Sequence, residues 1–176
     1  MIKKKQVNQL VNTQEILNLL QTYSSDSYHI QDNIPNRKLN NIYKSFPIDR
    51  GEIILATVDG TVFGSHKNGL VFGEQGIYAN NDFTGGSFSG FMTYSDFSQV
   101  QLRSEGASIF FGDRGFQFCF AGSMMKDDKL MPLLTDLQKL LGRNDQPSQA
   151  SSTHFGCPGC GAPNQRNQCE YCGRKL

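Results

Sequence analysis

Four cysteines near the C-terminus have the spacing of a metal site. Cys157 and Cys160 form one Cys-x-x-Cys pair, Cys169 and Cys172 form another, and a glycine follows each pair. Glycine allows the left-handed turn that aims the second sulfur of a pair at the same ion as the first. Four thiolates in a tetrahedron suit Zn²⁺ and leave no open coordination position. The spacing therefore predicts one structural zinc ion without a catalytic role.

Three other interpretations of this cluster are chemically open. Iron fits the same four-sulfur cage, and geometry alone does not separate the two metals. A thioredoxin-type redox pair is disfavoured because neither Cys-x-x-Cys follows a strand in a βαβ context. His154 could replace a cysteine as ligand, but four correctly spaced cysteines make it a residue of the preceding linker. The segment has no core of its own, so zinc must supply its folding energy. It resembles a short zinc ribbon of the rubredoxin-like kind.

Basic residues flank these cysteines and suggest an alternative function for the ribbon. Arg166, Arg174 and Lys175 can contact phosphate, while only Phe155 and Tyr171 are available to stack on bases. A nucleic-acid-binding regulator is therefore a weaker alternative to a protein-binding module.

No catalytic constellation is visible elsewhere in the chain. The three histidines lie in three different regions, and none stands in a Ser/His/Asp or Cys/His pattern. Cys119 alternates with aromatic residues in FQFCFA and is interpreted as a small core residue. We predict no catalytic residues and no enzyme.

Charge and hydropathy exclude some classes of partner and location. The formal net charge is +1, so no global field attracts nucleic acid or anionic lipid. No apolar run approaches the roughly 18 residues of a membrane span, and the basic start lacks the apolar stretch of a signal peptide. Paired cysteines with metal-site spacing are typical of a reducing compartment. A cytoplasmic location is expected.

The first 49 residues predict two short amphipathic helices. Asn12 and Glu15 form a possible capping box before a helix, and Pro35 opens a second helix that Pro47 ends. The apolar positions recur at i, i+3, i+4 and i+7 in both; they are Ile16, Leu19, Leu20 and Tyr23 in the first and Leu39, Ile42, Tyr43 and Phe46 in the second. Both stripes are expected to pack on a neighbouring core.

The middle of the chain predicts strands. Seven short segments are rich in β-branched and aromatic residues and are separated by turn residues: 52–59, 69–73, 76–80, 89–97, 100–104, 108–112 and 116–121. Several separators have only two or three residues with a glycine, so the strands should follow one another as an antiparallel meander. No crossover helix fits between them, which excludes a parallel α/β topology.

A leucine-rich helix is predicted after the strands. Leu130, Leu133, Leu134, Leu137, Leu140 and Leu141 form one apolar face. Pro132 is tolerated only in a first turn, so the start is placed near Leu130 or Met131, with Gly142 as the stop. Such a helix would cap the open end of a small, bent sheet.

The middle region resembles a known family. The run from Asn41 to Asn81, with DGTVFGSHKNGLVF (59–72) as its most specific part, the YSDF at 94–97 and the closing leucine-rich helix resemble bacterial PH-like (pleckstrin-homology-like) domains over residues 34–142. The resemblance implies a mainly β fold, a seven-stranded bent antiparallel barrel capped by a C-terminal helix, and no catalytic residues. The chain is thus divided into N-terminal helices (1–49), barrel and capping helix (50–142), a flexible linker (143–155) and a zinc ribbon (156–176).

These observations predict a non-enzymatic binding or adaptor module with a protein partner. A groove for a peptide or helix is expected at an open edge of the barrel, and a long Gly/Ser/Phe loop at 80–92 could either frame it or form a disordered tip. Within the first hairpin connection, His66 and Lys67 are candidate ligand contacts. Lipid binding there is the third alternative, disfavoured because residues 50–142 hold ten acidic against seven basic side chains.

Overall fold

The computed structural model describes residues 13–83, 86–112 and 115–144. Helix α1 covers residues 13–20 within that part of the chain, and Asn12, the proposed cap, lies outside it. Helix α2 is Asn36–Ser45, with Pro35 at its N-cap and Phe46 at its C-cap, as the second amphipathic pattern predicted. A single 3-10 turn, Gln31–Asn33, precedes it.

All seven predicted strand regions contain a strand, and the structure adds an eighth. The described strands are β1 Tyr28–Ile30, β2 Ile54–Asp59, β3 Gly69–Gly73, β4 Gly76–Phe83, β5 Gly86–Thr93, β6 Leu102–Glu105, β7 Ser108–Phe111 and β8 Phe116–Cys119. Every pairing is antiparallel. The prediction of a mainly β fold with helices is confirmed at this level.

The strands form two sheets. Sheet 1 has the order β1-β2-β3-β4-β5 and sheet 2 the order β6-β7-β8. No strand pairing joins the two sheets in the described ranges, so they do not close into one hydrogen-bonded barrel there. The two are instead linked by side chains: Asn81 of β4 donates from Nδ2 to Gln117 O at 2.6 Å and accepts from Cys119 N at 3.0 Å.

A short helix replaces the end of the fourth predicted strand. The pattern at 89–97 predicts one strand, but β5 ends at Thr93 and Tyr94–Gln99 forms helix α3. Thr93 caps this helix, since its Oγ1 accepts from Asp96 N at 3.0 Å and donates to Asp96 Oδ2 at 2.9 Å. A Thr-x-x-Asp pair of this kind is a helix-start signal that the strand interpretation overlooked.

The predicted long loop at 80–92 is also wrong. Residues of this region form the β4–β5 ladder, which runs from the Gly76–Thr93 pair to the Phe83–Gly86 pair. Glycine and serine disfavour strands in isolation, but pairing with an already ordered neighbour supplies the ladder hydrogen bonds. Composition therefore underestimated this hairpin.

Sheet 1 is covered on both faces. Leu70 and Phe72 of β3 point into the larger core, which also contains side chains of sheet 2, α1 and helix α4 (Asp127–Asn144). Val71, between them, belongs to a smaller cluster with Ile42 and Phe46 on and beside α2. Burial on both faces explains why β2 and β3 read as continuous apolar runs rather than alternating ones.

Helix α4 is longer than the sequence predicts. It begins at Asp127, not near Leu130, because the main-chain oxygen of Lys126 accepts from Lys129 N and Leu130 N. Pro132 therefore lies inside the helix, where it has no N–H to donate to the carbonyl of Asp128, an exposed residue. Gly142 does not end the helix. The predicted leucine face is buried as expected, at Leu130, Leu133, Leu134, Leu137 and Leu141.

No helix in the described part of the chain is both long enough and apolar enough to span a membrane.

Candidate functional site

An open groove lies between the edge of sheet 1 and sheet 2. It has a volume of about 660 Å³. Its walls come from β5, from α3 and the residue after it, and from the β7–β8 region; the lining residues are Gly90, Phe91, Met92, Ser95, Asp96, Gln99, Val100, Phe111, Gly112 and Phe116. The turn into α3 creates this opening, because it separates β5 from β6 instead of letting them pair.

Aromatic packing fixes the apolar walls. Phe91 of β5 is 41% exposed, and its ring lies 4.6 Å from that of Tyr78, its cross-strand partner on β4. Gly76 leaves room for this arrangement, since a Cβ there would collide with Met92 O and approach the Phe91 ring within 2.8 Å. Across the groove, the rings of Phe111 and Phe116 meet edge to face at 5.0 Å.

The rim of the groove is polar and carries one ionisable side chain. Ser95, Asp96 and Gln99 are exposed on α3. Helix α4 steadies this wall, because Gln138 Nε2 donates to Phe97 O at 2.7 Å and to Val100 O at 2.8 Å. Among the lining residues that the structure describes, Asp96 is the only titratable one. Its chemistry suits binding of an apolar chain with a positive charge near the rim.

A second candidate site lies in the connection between β2 and β3, within the DGTVFGSH motif. Asp59 is buried and organises the loop: Oδ1 accepts from Thr61 N at 2.8 Å and Thr61 Oγ1 at 2.6 Å, and Oδ2 accepts from His66 N at 3.2 Å. Thr61 Oγ1 in turn accepts from Ser65 N at 2.8 Å. Burial by itself raises the pKa of Asp59, but the bonds from His66 and Thr61 hold it below its ordinary value.

The two predicted ligand contacts of this loop differ in exposure. Lys67 is exposed, whereas His66 is 1% exposed and adopts the left-handed conformation, with φ of 55°. His66 Nδ1 lies in close polar contact with Asp59 Oδ2, at 2.7 Å. His66 Nε2 has no hydrogen-bond partner among the described residues and is closed to solvent. His66 is therefore not placed to meet a ligand in this conformation.

A histidine and a lysine that the sequence did not connect with this loop lie beside it. The His29 ring, on β1, is 5.0 Å from the His66 ring, and Lys38 Nζ, on α2, is 2.8 Å from His29 Nε2. Burial, then Lys38, then His66 lower the pKa of His29, against a smaller opposing effect of Asp59. His29 and Lys38 are nine residues apart, but the β2–β3 loop is distant from both in sequence, so no local pattern could have indicated the cluster.

The remaining predicted sites fall into two groups. Cys119 has a free thiol and is half-buried, so it agrees only in part with the prediction of a buried core residue. Those outside the described residues are Cys157, Cys160, Cys169, Cys172, His154, Phe155, Tyr171, Arg166, Arg174 and Lys175. Within the ranges that are described, no three His, Cys, Asp or Glu side chains are grouped to hold a metal ion.

Comparisons with known proteins give no match. No family model matches the chain, and no curated protein and no solved structure matches it significantly.

Proposed function

We propose that this protein is a non-enzymatic binding module whose groove takes an extended segment of a partner protein as an added strand beside β5. The observation that carries the proposal is the groove itself, which places both apolar and polar side chains beside an edge strand. The partner class is a protein rather than a nucleic acid or a lipid.

The position of β5 supports strand addition. It is the last strand of sheet 1, and no described strand hydrogen-bonds to its outer edge. Main-chain groups at such an edge are a template for another extended chain, which gains affinity from the new ladder bonds. The lining residues Gly90, Phe91 and Met92 belong to this edge.

The walls specify the side chains of that segment. Phe91, which is 41% exposed, offers an aromatic contact to an apolar residue, whereas Phe111 and Phe116 are buried behind the opposite wall. Alternate positions of an added strand would face the same side. Asp96 at the rim favours a lysine or arginine in the segment. The preference agrees with the excess of acidic over basic residues in 50–142.

Two features support a binding role over catalysis. The described lining residues of the groove include a single carboxylate and no nucleophile–base pair. The buried Asp59–His66 pair has the chemistry of a base with its orienting carboxylate, but its Nε2 is enclosed and meets no groove residue.

We further propose that the fold is PH-like and the C-terminus a zinc ribbon. Seven strands in two antiparallel meanders, followed by a helix that buries a leucine face, support the first part; β1 is then an addition. The cysteine spacing supports the second. The ribbon would supply a second contact, which makes the chain an adaptor in the cytoplasm.

The test selects random extended peptides on the full chain by phage display and measures their affinity by titration calorimetry. Phe91→Ala should weaken binding of a selected peptide at least about tenfold, whereas Ile53→Ala is the matched control, since Ile53 is 47% exposed and outside the lining. Asp96→Lys should weaken the binding of peptides that contain a basic residue. Glu105→Lys, on the exposed strand β6, should leave their affinity unchanged. Gln99→Trp, which fills the groove without removing a packed ring, is a second blocking variant.

Backbone methylation of the peptide separates strand addition from other modes. Methylating alternate amides should abolish binding at every second position, because only one edge of an added strand pairs with β5. Selected peptides that bind as helices, or that bind Phe91→Ala and Gln99→Trp as tightly as the unmodified chain, would overturn the proposal.

A further inference from the structure

Three elements meet at the His29–Lys38 contact. His29 is on β1, Lys38 on α2, and the loop 60–68 between β2 and β3 lies against both. A lysine ammonium has only donors, so Lys38 Nζ, 2.8 Å from His29 Nε2, must donate to a ring nitrogen that carries no proton. The contact therefore exists only while His29 is neutral, with its proton on Nδ1.

The charged groups around His29 come from every packed element. Lys38 lies on α2, Asp59 on β2 and His66 in the loop. The positive charge of Lys38 and the negative charge of Asp59 act on His29 in opposite directions. A proton on His29 places two positive charges 2.8 Å apart in a partly buried site, where repulsion is stronger than in water.

We propose that the His29–Lys38 contact is a proton-sensitive latch between strand β1 and helix α2, and that it controls the β2–β3 loop through the bond from Asn41 on α2 to Ser65 O. When His29 takes up a proton from solvent at Nε2, Lys38 loses its acceptor and moves away, and the loop loosens. This inference does not depend on the peptide groove.

The loop is coupled to α2 through Lys38 and the next turn of the same helix. Asn41 Nδ2 donates to Ser65 O at 2.8 Å, so a shift of the helix acts directly on the loop. The Lys38 ammonium is also close to the backbone of the loop, since a Cβ added at Gly64 would lie 3.9 Å from Lys38 Nζ. Gly64 itself has a left-handed φ of 69°.

The loop carries an apolar tip whose position the latch would set. Val62 and Phe63 are 75% and 95% exposed, the largest exposures among the large apolar side chains of the described chain. Their backbone is held by the Asp59 and Thr61 bonds on one side and by α2 on the other. Loosening one side would therefore change how the tip is presented.

The test is an NMR pH titration of the full chain from about pH 8 to about pH 5, the range in which histidine titrates. The His29 ring and the amides of Ser65 and His66 should shift with one midpoint, below the ordinary histidine value of 6.5. His29→Gln keeps an acceptor for Lys38 but does not titrate, so the loop amides should stop responding. Lys38→Met should raise the midpoint of His29, and Lys67→Met, an exposed neighbour, should leave it unchanged.

Two results of the titration would overturn the proposal. Loop amides that stay fixed while His29 titrates would overturn the latch, and so would a response that persists in His29→Gln, because it would belong to another group such as His66. If His29→Gln does not fold, Lys38→Met decides alone: an unchanged His29 midpoint rejects the proposal.

Discussion

Removing the Asp59 carboxylate should destabilise the protein more than is usual for a residue at the edge of a surface loop. The carboxylate accepts from Thr61 N, Thr61 Oγ1 and His66 N and contacts the His66 ring. A buried donor without an acceptor costs about 1–3 kcal/mol. Thr61 is half-exposed, so water can replace part of the hydrogen bonding that Thr61 loses. The main-chain N–H and the ring of His66 stay buried and are not compensated in this way. Asp59→Ala should therefore lower the free energy of unfolding by about 2–4 kcal/mol.

The assay is urea unfolding near neutral pH, followed by circular dichroism. Glu105→Ala is the control, because the Arg103–Glu105 pair is at the surface with a distance of 3.8 Å and should contribute less than about 1 kcal/mol. The pKa of Asp59 is held below 3.8, so its stabilisation is present above that value and disappears as pH falls further. The difference in unfolding free energy between Asp59→Ala and the unmodified chain should thus become smaller in strong acid. A loss below about 1 kcal/mol at neutral pH would refute the view that Asp59 holds the loop.

Three further predictions concern other parts of the chain. Asn81→Leu leaves two main-chain groups of β8 unpaired and should cost about 2–4 kcal/mol in urea unfolding; an unchanged midpoint would mean that apolar packing alone joins the sheets. Burial and the bond to Asp136 raise the pKa of Tyr23 to about 12, so stability should decline as pH rises from 10 towards 12. The melting temperature of Tyr23→Phe should lack this decline. Melting temperatures that fall in parallel with pH for the variant and the unmodified chain would contradict the prediction. The purified chain should hold one zinc ion by atomic absorption, and less after Cys160→Ala; absence of both zinc and iron would reject the four-thiolate site.

The strands of the middle region were predictable because their signals are local. β-branched and aromatic runs such as GLVFG end at turn residues, and β3 begins and ends where the pattern places it, at Gly69 and Gly73. Helix α2 was equally readable, since Pro35 and Pro47 bound an amphipathic stripe. The strand β1 was missed because three residues carry no period and pair only with β2.

Errors arose where neighbours in space outweighed composition. Glycine and serine are poor strand formers and predict a loop at 80–92, yet this segment holds the end of β4 and most of β5, which pair with each other. The start of α4 was set by Pro132 in the prediction and by the Lys126 carbonyl in the structure. The helix α3 was predictable in principle, from Thr93 and Asp96.

The sequence by itself determined the strand segments, the apolar helix faces and the metal-site spacing of the four cysteines, because each depends on residues close together in the chain. Tertiary structure alone decided the division into two sheets, the groove beside β5, and the meeting of His29, Lys38 and the Asp59 loop. These features join different secondary-structure elements, whose contacts no short sequence pattern specifies. Only the packing of α2, α3 and the sheets brings their residues within contact distance, and no local pattern encodes that packing.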